Sequence, residues 1–402
     1  MGDTQSGPVR LAFNPRPRAI VRVLGLVTMV VTLVGLPAAS APAAPIYIKV
    51  DAGEFRATNY VGTSADLNGD GYDDLIVGST IDQASLIVAF GMPLPPSLPV
   101  DFLLGNGDGT FRDGTAELVT GDLPRTVGPP IPVVADFNGD GRPDVAIFDR
   151  GIALSNANYS GSPPILLLSG SDGRLHRSSA LADAVAILHQ RYPFFGQYGG
   201  PNLHVYVAVA GDIDNDGDID IWVESCGGNN ACSHFLVNNG DGTFTADEGR
   251  VSGEALRGPP GQFWRYWGAA LVDMDGDGFL DLVLGQLRGS LADGRQDLAT
   301  SAVFLNDRTG YFPGAGSLRL PQPDFNLAFT VVESLTVTDI DADGLKDIVL
   351  AHRRRESTDI SVVPFTGRYI QILINQGGGQ FVDEAPARMG DQSATSGQIS
   401  QI

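Results

Sequence analysis

The sequence is poor in the things that most often announce a function. Basic residues are few: 26 Lys and Arg stand against 47 Asp and Glu, a formal net charge of −21. So acidic a surface repels nucleic acid and anionic membranes and attracts cations. Long apolar runs are missing as well. The one marked run, 23–36, is broken by Gly25, Thr28 and Thr32 and is too short for a comfortable membrane span. Catalytic signatures are absent: there is no HExxH, GxSxG, phosphate-binding GxxxxGK or CxxC. The five histidines, His176, His189, His204, His234 and His352, show no ligand spacing. Only two cysteines occur, Cys226 and Cys232. With 18% charged and 43% hydrophobic residues the composition is that of a globular chain, which excludes a mostly disordered one.

The N-terminus has the order of an export signal. Arg16, Arg18 and Arg22 precede the apolar run, a small-residue stretch comes next at 37–45, and Ala41-Pro42-Ala43 fits an A-x-A cleavage site. Residues 1–43 are therefore expected to be removed, leaving Ala44 first. Their loss takes away Arg10, Arg16, Arg18 and Arg22 against Asp3 and leaves the rest more acidic still. An uncleaved anchor is the alternative. No cysteine lies near the cleavage region, so lipid anchoring is not expected. In an exported chain two nearby cysteines suggest a disulfide, and Cys226 with Cys232 would close the mouth of a hairpin; two free thiols are the alternative.

What the chain has in excess is glycine, 51 residues without a collagen-like period, which points to many tight turns and short strands. It also repeats. A nine-residue pattern, Asp-x-Asp/Asn-x-Asp-Gly-x-x-Asp, occurs at 66–74, 136–144, 212–220, 273–281 and 339–347. Each copy runs into consecutive apolar residues: Leu75, Ile76 and Val77 after the first, Ile221, Trp222 and Val223 after the third. Such runs read as strands covered on both faces. A second pattern alternates with the first: an apolar strand, a Gly/Asn/Asp turn, then an aromatic. It is clearest at 102–111 and 235–244, looser at 165–175, 303–312 and 372–381, with a further copy at 46–55. One period thus holds four strands, which is the content of one blade of a β-propeller. A sandwich would not explain a repeat of about 70 residues.

The alternation of Asp loops with Gly-Asp-Gly-Thr-Phe hairpins resembles the FG-GAP/VCBS repeats of integrin-α-like propellers. The resemblance spans about 46–383, within an expected propeller domain of 44–383. It implies an all-β propeller of four-stranded antiparallel blades, usually seven, with loops that bind calcium. Here five complete blades are recognisable. The polar tail 384–402 lacks a sixth Asp loop. Either it closes a ring of about six blades with the hairpin at 46–55, which is favoured, or the propeller is incomplete.

The loops suit calcium on their own chemistry. Calcium takes six to eight oxygens in a flexible cage. Positions 1, 3 and 5 of a tight loop aim side chains at one centre, position 7 offers its carbonyl, position 9 closes the cage, and Gly at position 6 permits the turn. The expected ligands are Asp66, Asn68, Asp70, Tyr72 and Asp74; Asp136, Asn138, Asp140, Arg142 and Asp144; Asp212, Asp214, Asp216, Asp218 and Asp220; Asp273, Asp275, Asp277, Phe279 and Asp281; and Asp339, Asp341, Asp343, Leu345 and Asp347. That gives about five structural ions. An EF-hand is excluded, since position 12 is Val77, Ile147, Val223, Leu284 or Leu350, always inside a strand. His and Cys, which zinc and copper prefer, are absent from the loops.

Four antiparallel strands per blade put the Asp loops and Gly hairpins at one end and the long connections at the other, where ligand binding is expected. Candidate ligand-face residues there are Tyr192, Phe194, Phe195, Tyr198, Trp264, Arg265 and Tyr266, since aromatics beside an arginine stack on sugars or grip peptides. Trp267 is expected in the core, and covering of blade edges is the alternative for the rest. The chain is thus expected to be a secreted or cell-surface adhesion or ligand-binding module for an extracellular protein or carbohydrate. The alternative is a polysaccharide lyase or hydrolase, because propellers assemble catalytic groups from several blades without a linear motif.

Overall fold

Each apolar run that comes after an Asp loop becomes an interior strand of a four-stranded antiparallel blade, and neighbouring blades packed on the sheet are why its residues are apolar on both faces. The computed structural model describes residues 57–81, 97–155, 158–191, 203–225, 233–252, 256, 262–263, 265–290, 296–323, 330–354, 368–390 and 392. Blade 1 comprises β1 (Ala57–Ala65), β2 (Asp74–Ile81), β3 (Leu98–Gly105) and β4 (Phe111–Asp113). Blade 2 comprises β5 (Pro130–Ala135), β6 (Asp144–Asp149), β7 (Ile165–Ser169) and β8 (Leu175–Ser178). Blade 3 comprises β9 (Val205–Gly211), β10 (Asp220–Ser225), β11 (Ser233–Asn238) and β12 (Phe244–Asp247). Blade 4 comprises β13 (Arg265–Val272), β14 (Asp281–Ser290), β15 (Ala302–Phe304) and β16 (Leu318–Arg319). Blade 5 comprises β17 (Thr330–Thr338), β18 (Asp347–Arg354), β19 (Arg368–Asn375) and β20 (Phe381–Asp383).

The first strands β1, β5, β9, β13 and β17 pack beside one another in that order, so the sheets fan out from a common axis as propeller blades. Four hydrophobic cores fill the spaces between the five blades. Between blades 1 and 2, Ile76 and Phe102 meet Val145 and Leu167. Between blades 2 and 3, Ala146 and Phe148 meet Ile221 and Leu236. Between blades 3 and 4, Trp222 and Phe235 meet Leu282 and Phe304. Between blades 4 and 5, Val283 and Val303 meet Ile348 and Leu373. Alternate residues of one strand serve the two neighbouring cores, as the period of two requires.

Two elements differ from expectation. In blade 4 the aromatic after the Gly turn, Phe312, does not start the fourth strand. It bridges to Val251 of the preceding blade and stacks on Phe235 at 5.4 Å, and β16 takes the edge instead. The connection after β8 contains a helix, Ala180–Arg191, where only a loop is expected. Leu181, Ala184, Val185 and Leu188 recur at helical spacing and fill the core between blades 2 and 3. The described part of the tail has the same arrangement as the segment after β4. In that segment Asp113 Oδ1 accepts the Thr115 N–H at 2.9 Å ahead of the helical turn Thr115–Leu118. In the tail, Asp383 Oδ1 accepts the Ala385 N–H at 3.0 Å ahead of Ala385–Met389. Gln392 then exchanges two 2.8 Å hydrogen bonds with the Ile370 backbone.

The export signal, the 46–55 hairpin, Cys226, Cys232 and the final residues lie outside the described residues, so ring closure and the disulfide are not addressed by this fold. The strands that such a disulfide would join, β10 and β11, do pair, Glu224 opposite Ser233. No helix among the described residues is long and apolar enough to cross a membrane.

Blade 5 also buries an ionisable group. His352 in β18 is enclosed, with Nε2 3.1 Å from Gln371 Oε1, and burial holds its pKa down at about 4. In the unfolded chain an imidazole titrates near ~6.5. Between those values the unfolded chain binds a proton that the folded chain refuses. The stability contributed is therefore complete above about pH 6.5 and is lost as pH falls toward about 4, on the order of 3 kcal/mol. Urea midpoints taken at pH 7 and pH 4.5 should fall more for the wild type than for His352→Gln; equal falls would show that His352 does not titrate across this window.

Candidate metal loops and the loop-rich end

All five Asp loops fold alike, because each acidic position has a backbone task. The position 1 carboxylate accepts the N–H groups of positions 5 and 6, as Asp66 does from Asp70 at 3.0 Å and Gly71 at 2.8 Å; Asp136, Asp212, Asp273 and Asp339 do the same. Position 5 accepts the N–H of position 7, so Asp70, Asp140, Asp216, Asp277 and Asp343 each form a local turn. Position 6 is glycine throughout, with φ between 80° and 98°. Position 4 is left-handed too, a requirement that the motif hides. It is met by Gly69, Gly139 and Gly276, but also by Asn215 at φ 57° and Ala342 at φ 62°.

Position 9 is the best-enclosed member. Asp74, Asp144, Asp220, Asp281 and Asp347 are each at most 1% exposed. One oxygen accepts the N–H of position 2: Leu67 at 2.9 Å, Phe137 at 2.8 Å, Ile213 at 3.2 Å, Met274 at 2.8 Å and Ile340 at 2.7 Å. The other accepts the N–H of the last residue of the third strand, or in blade 4 of the second residue beyond it: Gly105, Ser169, Asn238, Asn306 or Asn375. This bond sets the Asp loop against the Gly hairpin, as strand parity demands.

The asparagines at that point are functional residues that the loop motif does not contain. Asn238 Nδ2 donates to Phe137 O of the preceding blade at 2.9 Å, and Asn306 Nδ2 donates to Ile213 O at 2.7 Å and Leu280 O at 3.0 Å. Their recurrence before the Gly turn in three copies is the signal that could have found them. Gly105 and Ser169 break it in the first two.

In the last three loops the carboxylates of positions 1, 3 and 9 converge. Oxygens of Asp212, Asp214 and Asp220, of Asp273, Asp275 and Asp281, and of Asp339, Asp341 and Asp347 lie within 4.8 Å of one another in each group. In the first two loops position 3 is an amide: Asn68 Nδ2 donates to Asp70 Oδ2 at 2.9 Å, and Asn138 Nδ2 points to Ser169 O at 3.4 Å. Arginines attend three loops: Arg142 at Asp140 (2.5 Å), Arg250 at Asp214 (3.1 Å) and Arg308 at Asp277 (2.8 Å).

These groups fit a hard cation. Asp214 Oδ1 is shielded from solvent and has no hydrogen-bond partner among the described residues. Burial pushes Asp220 up to about 7 and Asp281 up to about 6, and burial with the neighbouring Asp343 and Asp347 raises Asp341. Oxygen-rich groups with a surplus of negative charge are what a multiply charged cation relieves.

At the loop-rich end, Tyr192, Phe194, Phe195, Tyr198 and Trp264 lie outside the described residues, and Arg265 opens β13. Tyr266 is not on a ligand face. It is fully buried in the core between blades 3 and 4, with Phe304 edge-on at 6.4 Å. Its neighbour Trp267, expected in the core, is partly exposed. A β-bulge at Trp267 inverts the usual in-and-out alternation, which explains both corrections.

A latch residue gives a direct test of this geometry. Asn306→Ala removes two donors and leaves two carbonyls in a buried setting unmet, a cost of about 2–3 kcal/mol. Denaturant unfolding should show it, with Asn239→Ala, an exposed neighbour of the latch Asn238, changing stability by less than about 0.5 kcal/mol. A loss at Asn306 no larger than at Asn239 would remove the latch from the account.

An FG-GAP-like repeat model matches residues 66–147 and 212–284. No curated protein matches the chain. Among solved structures it is similar to a lectin of Agrocybe aegerita that recognises non-reducing terminal N-acetylglucosamine, with 18% identity over 81% of this chain and 64% of that one, TM-score 0.43. It is also similar to the exotype rhamnogalacturonan lyase YesX, with 16% identity over 81% and 49%, TM-score 0.37. A third is an exo-β-1,3-galactanase from Clostridium thermocellum, with 10% identity over 81% and 65%, TM-score 0.36. The chain spans between about half and two thirds of the length of these three, and at such scores the likeness says nothing about ligand or activity.

Proposed function

We propose that this chain, an FG-GAP repeat β-propeller, is a secreted binding module that calcium stabilises at one end and that holds an extracellular ligand at the other. The observation that supports it most is the convergence of three carboxylates in each of the last three loops, with Asp214 Oδ1 left without a partner among the described residues. Calcium is the cation that such all-oxygen, flexible loops suit best, with a Kd in the range of extracellular modules, about 10⁻⁴–10⁻³ M. Loops 3 to 5 carry four aspartates at positions 1, 3, 5 and 9 where loops 1 and 2 carry three, so they fill first. Each ion bound only to the folded chain adds about 1.4 kcal/mol when calcium is tenfold above Kd. Several such sites together rival a domain's net stability.

Calorimetric titration with metal analysis should count three tighter and two weaker ions, and chelation should lower the melting temperature markedly. Asp275→Ala should remove one ion and leave the others. Fewer than three ions, or a melting temperature indifferent to chelator, defeats the calcium reading. Incubation with glycan mixtures, scored for both retention and cleavage, separates a binding module from a polysaccharide-active enzyme.

Export is the other half of the proposal and rests on the order of basic, apolar and small residues in 1–43. N-terminal sequencing of exported protein should begin at Ala44. Membrane-bound protein that retains Met1 would overturn it.

A further inference from the structure

Three successive blades carry the same irregularity. The pairing of β9 with β10 skips one residue between Val205 and Val207, that of β13 with β14 between Tyr266 and Gly268, and that of β17 with β18 between Val332 and Ser334. The skipped residues are Tyr206, Trp267 and Glu333. In each blade they oppose the fourth and fifth residues after the position 9 aspartate: Glu224 and Ser225, Gly285 and Gln286, Ala351 and His352. In β1 the bulge, at Gly62, lies nearer the Asp loop, and the β5 register is regular. A bulge re-aims a side chain, and bulges gather next to binding sites.

Because the first strands of consecutive blades are neighbours around the axis, the bulged residues meet. The rings of Tyr206 and Trp267 stack at 4.6 Å and 24°. Neither belongs to any of the four inter-blade cores. Arg150, one residue past β6, sets its guanidinium carbon 5.1 Å from the Trp267 ring centre and donates to Tyr206 O at 3.3 Å. The His204 ring stands edge-on to Tyr206 at 5.0 Å. One blade further on, Arg353 pairs with Glu333 at 2.7 Å. All these residues sit where the second strands finish, away from the Asp loops. Tyr206 is 8% exposed and supports a partly exposed Trp267.

We propose that Trp267, Tyr206 and Arg150 form an axial site for a carboxylate-bearing pyranose, that is, a uronate-containing oligosaccharide. The proposal rests on the reading of the chain as a binding module and names its ligand class and place. An indole braced by a second ring offers a flat apolar wall for the C–H face of a sugar ring. The guanidinium held beside it provides a planar fork for a carboxylate. In a chain of net charge −21, Arg150 brings a positive charge to the indole face, whereas Arg353, one blade further on, is already paired with Glu333. A neutral sugar would use the wall alone, and an acidic side chain of a protein partner would use the fork alone.

The test is calorimetric titration of calcium-loaded protein with α-1,4-linked tetragalacturonate and with its carboxyl-reduced counterpart. Tetragalacturonate should bind more tightly than the reduced form. Arg150→Gln should weaken it by at least about tenfold while leaving binding of the reduced form and the calcium count of the folded protein unchanged. Trp267→Ala should weaken both sugars; if that variant does not fold, Arg150→Gln decides. No binding of tetragalacturonate by folded, calcium-loaded wild type overturns the site and leaves the calcium reading intact. Equal binding by Arg150→Gln overturns it too. A chelator-indifferent melting temperature, with the Arg150 effect present, sinks the calcium reading and leaves the site standing.

Discussion

The structure depends on a buried carboxylate at the start of every second strand. Asp74, Asp144, Asp220, Asp281 and Asp347 each divide their two oxygens between backbone N–H groups that the chain separates widely: one in their own loop, the other at the end of the third strand, as from Asp281 to Asn306. Burying a carboxylate is costly, and two charge-assisted bonds to main chain offset much of that cost while fixing the geometry. The result ties loop to hairpin within the blade. Of the three asparagines at that point, Asn375 donates to Lys346 O of its own loop, while at the other two the tie continues into the preceding blade, from Asn306 to Ile213 O and from Asn238 to Phe137 O. The residue reached is the one whose side chain enters the core with the next blade, so polar latch and apolar packing converge on position 2.

This arrangement makes the blades interdependent. Val145 and Ala146 are adjacent in sequence yet serve different cores, one facing blade 1 and the other blade 3. A blade alone would expose both faces of its second strand, and one with a single neighbour would expose one, so stability accrues with each added neighbour, as in other repeat architectures. Phe312 illustrates the same rule by exception. It leaves the edge of its own blade to stack on Phe235 of the one before, and a short substitute strand, Leu318–Arg319, fills the edge.

The Asp loops, four of the Gly hairpins and the five blades of the described residues were legible in the sequence, because each rests on residues with narrow conformational tolerance: paired aspartates, and glycine where φ is positive. What was hidden involves choices that many residues satisfy. The latch asparagines lie inside the hairpin pattern, but blades 1 and 2 have Gly105 and Ser169 at that position, so residue type alone does not mark the latch. Helix 180–191 does show the spacing of Leu181, Ala184, Val185 and Leu188, but it sits in a connection where strand logic predicts none. The bulges cannot be read at all, since one inserted residue changes no motif; it reverses the facing of Tyr266 and Trp267 and thereby exchanges their roles. The split between loops with Asp and loops with Asn at position 3 was legible as residue types; that the carboxylates of positions 1, 3 and 9 converge, while position 5 turns to the backbone, depends on side-chain placement that the motif does not state.

The two ends of the propeller are joined by the second strands themselves. β6 begins at Asp144 and leads to Arg150, and β18 begins at Asp347 and contains Arg353, so the same strand that starts in a metal loop finishes at the axial group. Six residues of strand span roughly 20 Å, too far for a cation to act on the axial residues through its field in water at physiological salt. The loop backbone is already fixed by the position 1, 5 and 9 carboxylates. An ion bound there would therefore relieve repulsion between carboxylates instead of moving the strand. On the proposed reading, metal occupancy and ligand geometry would be separate properties of one strand: the first would act on how firmly the blade is held, and the second would follow where the bulge directs Tyr206, Trp267 and Glu333.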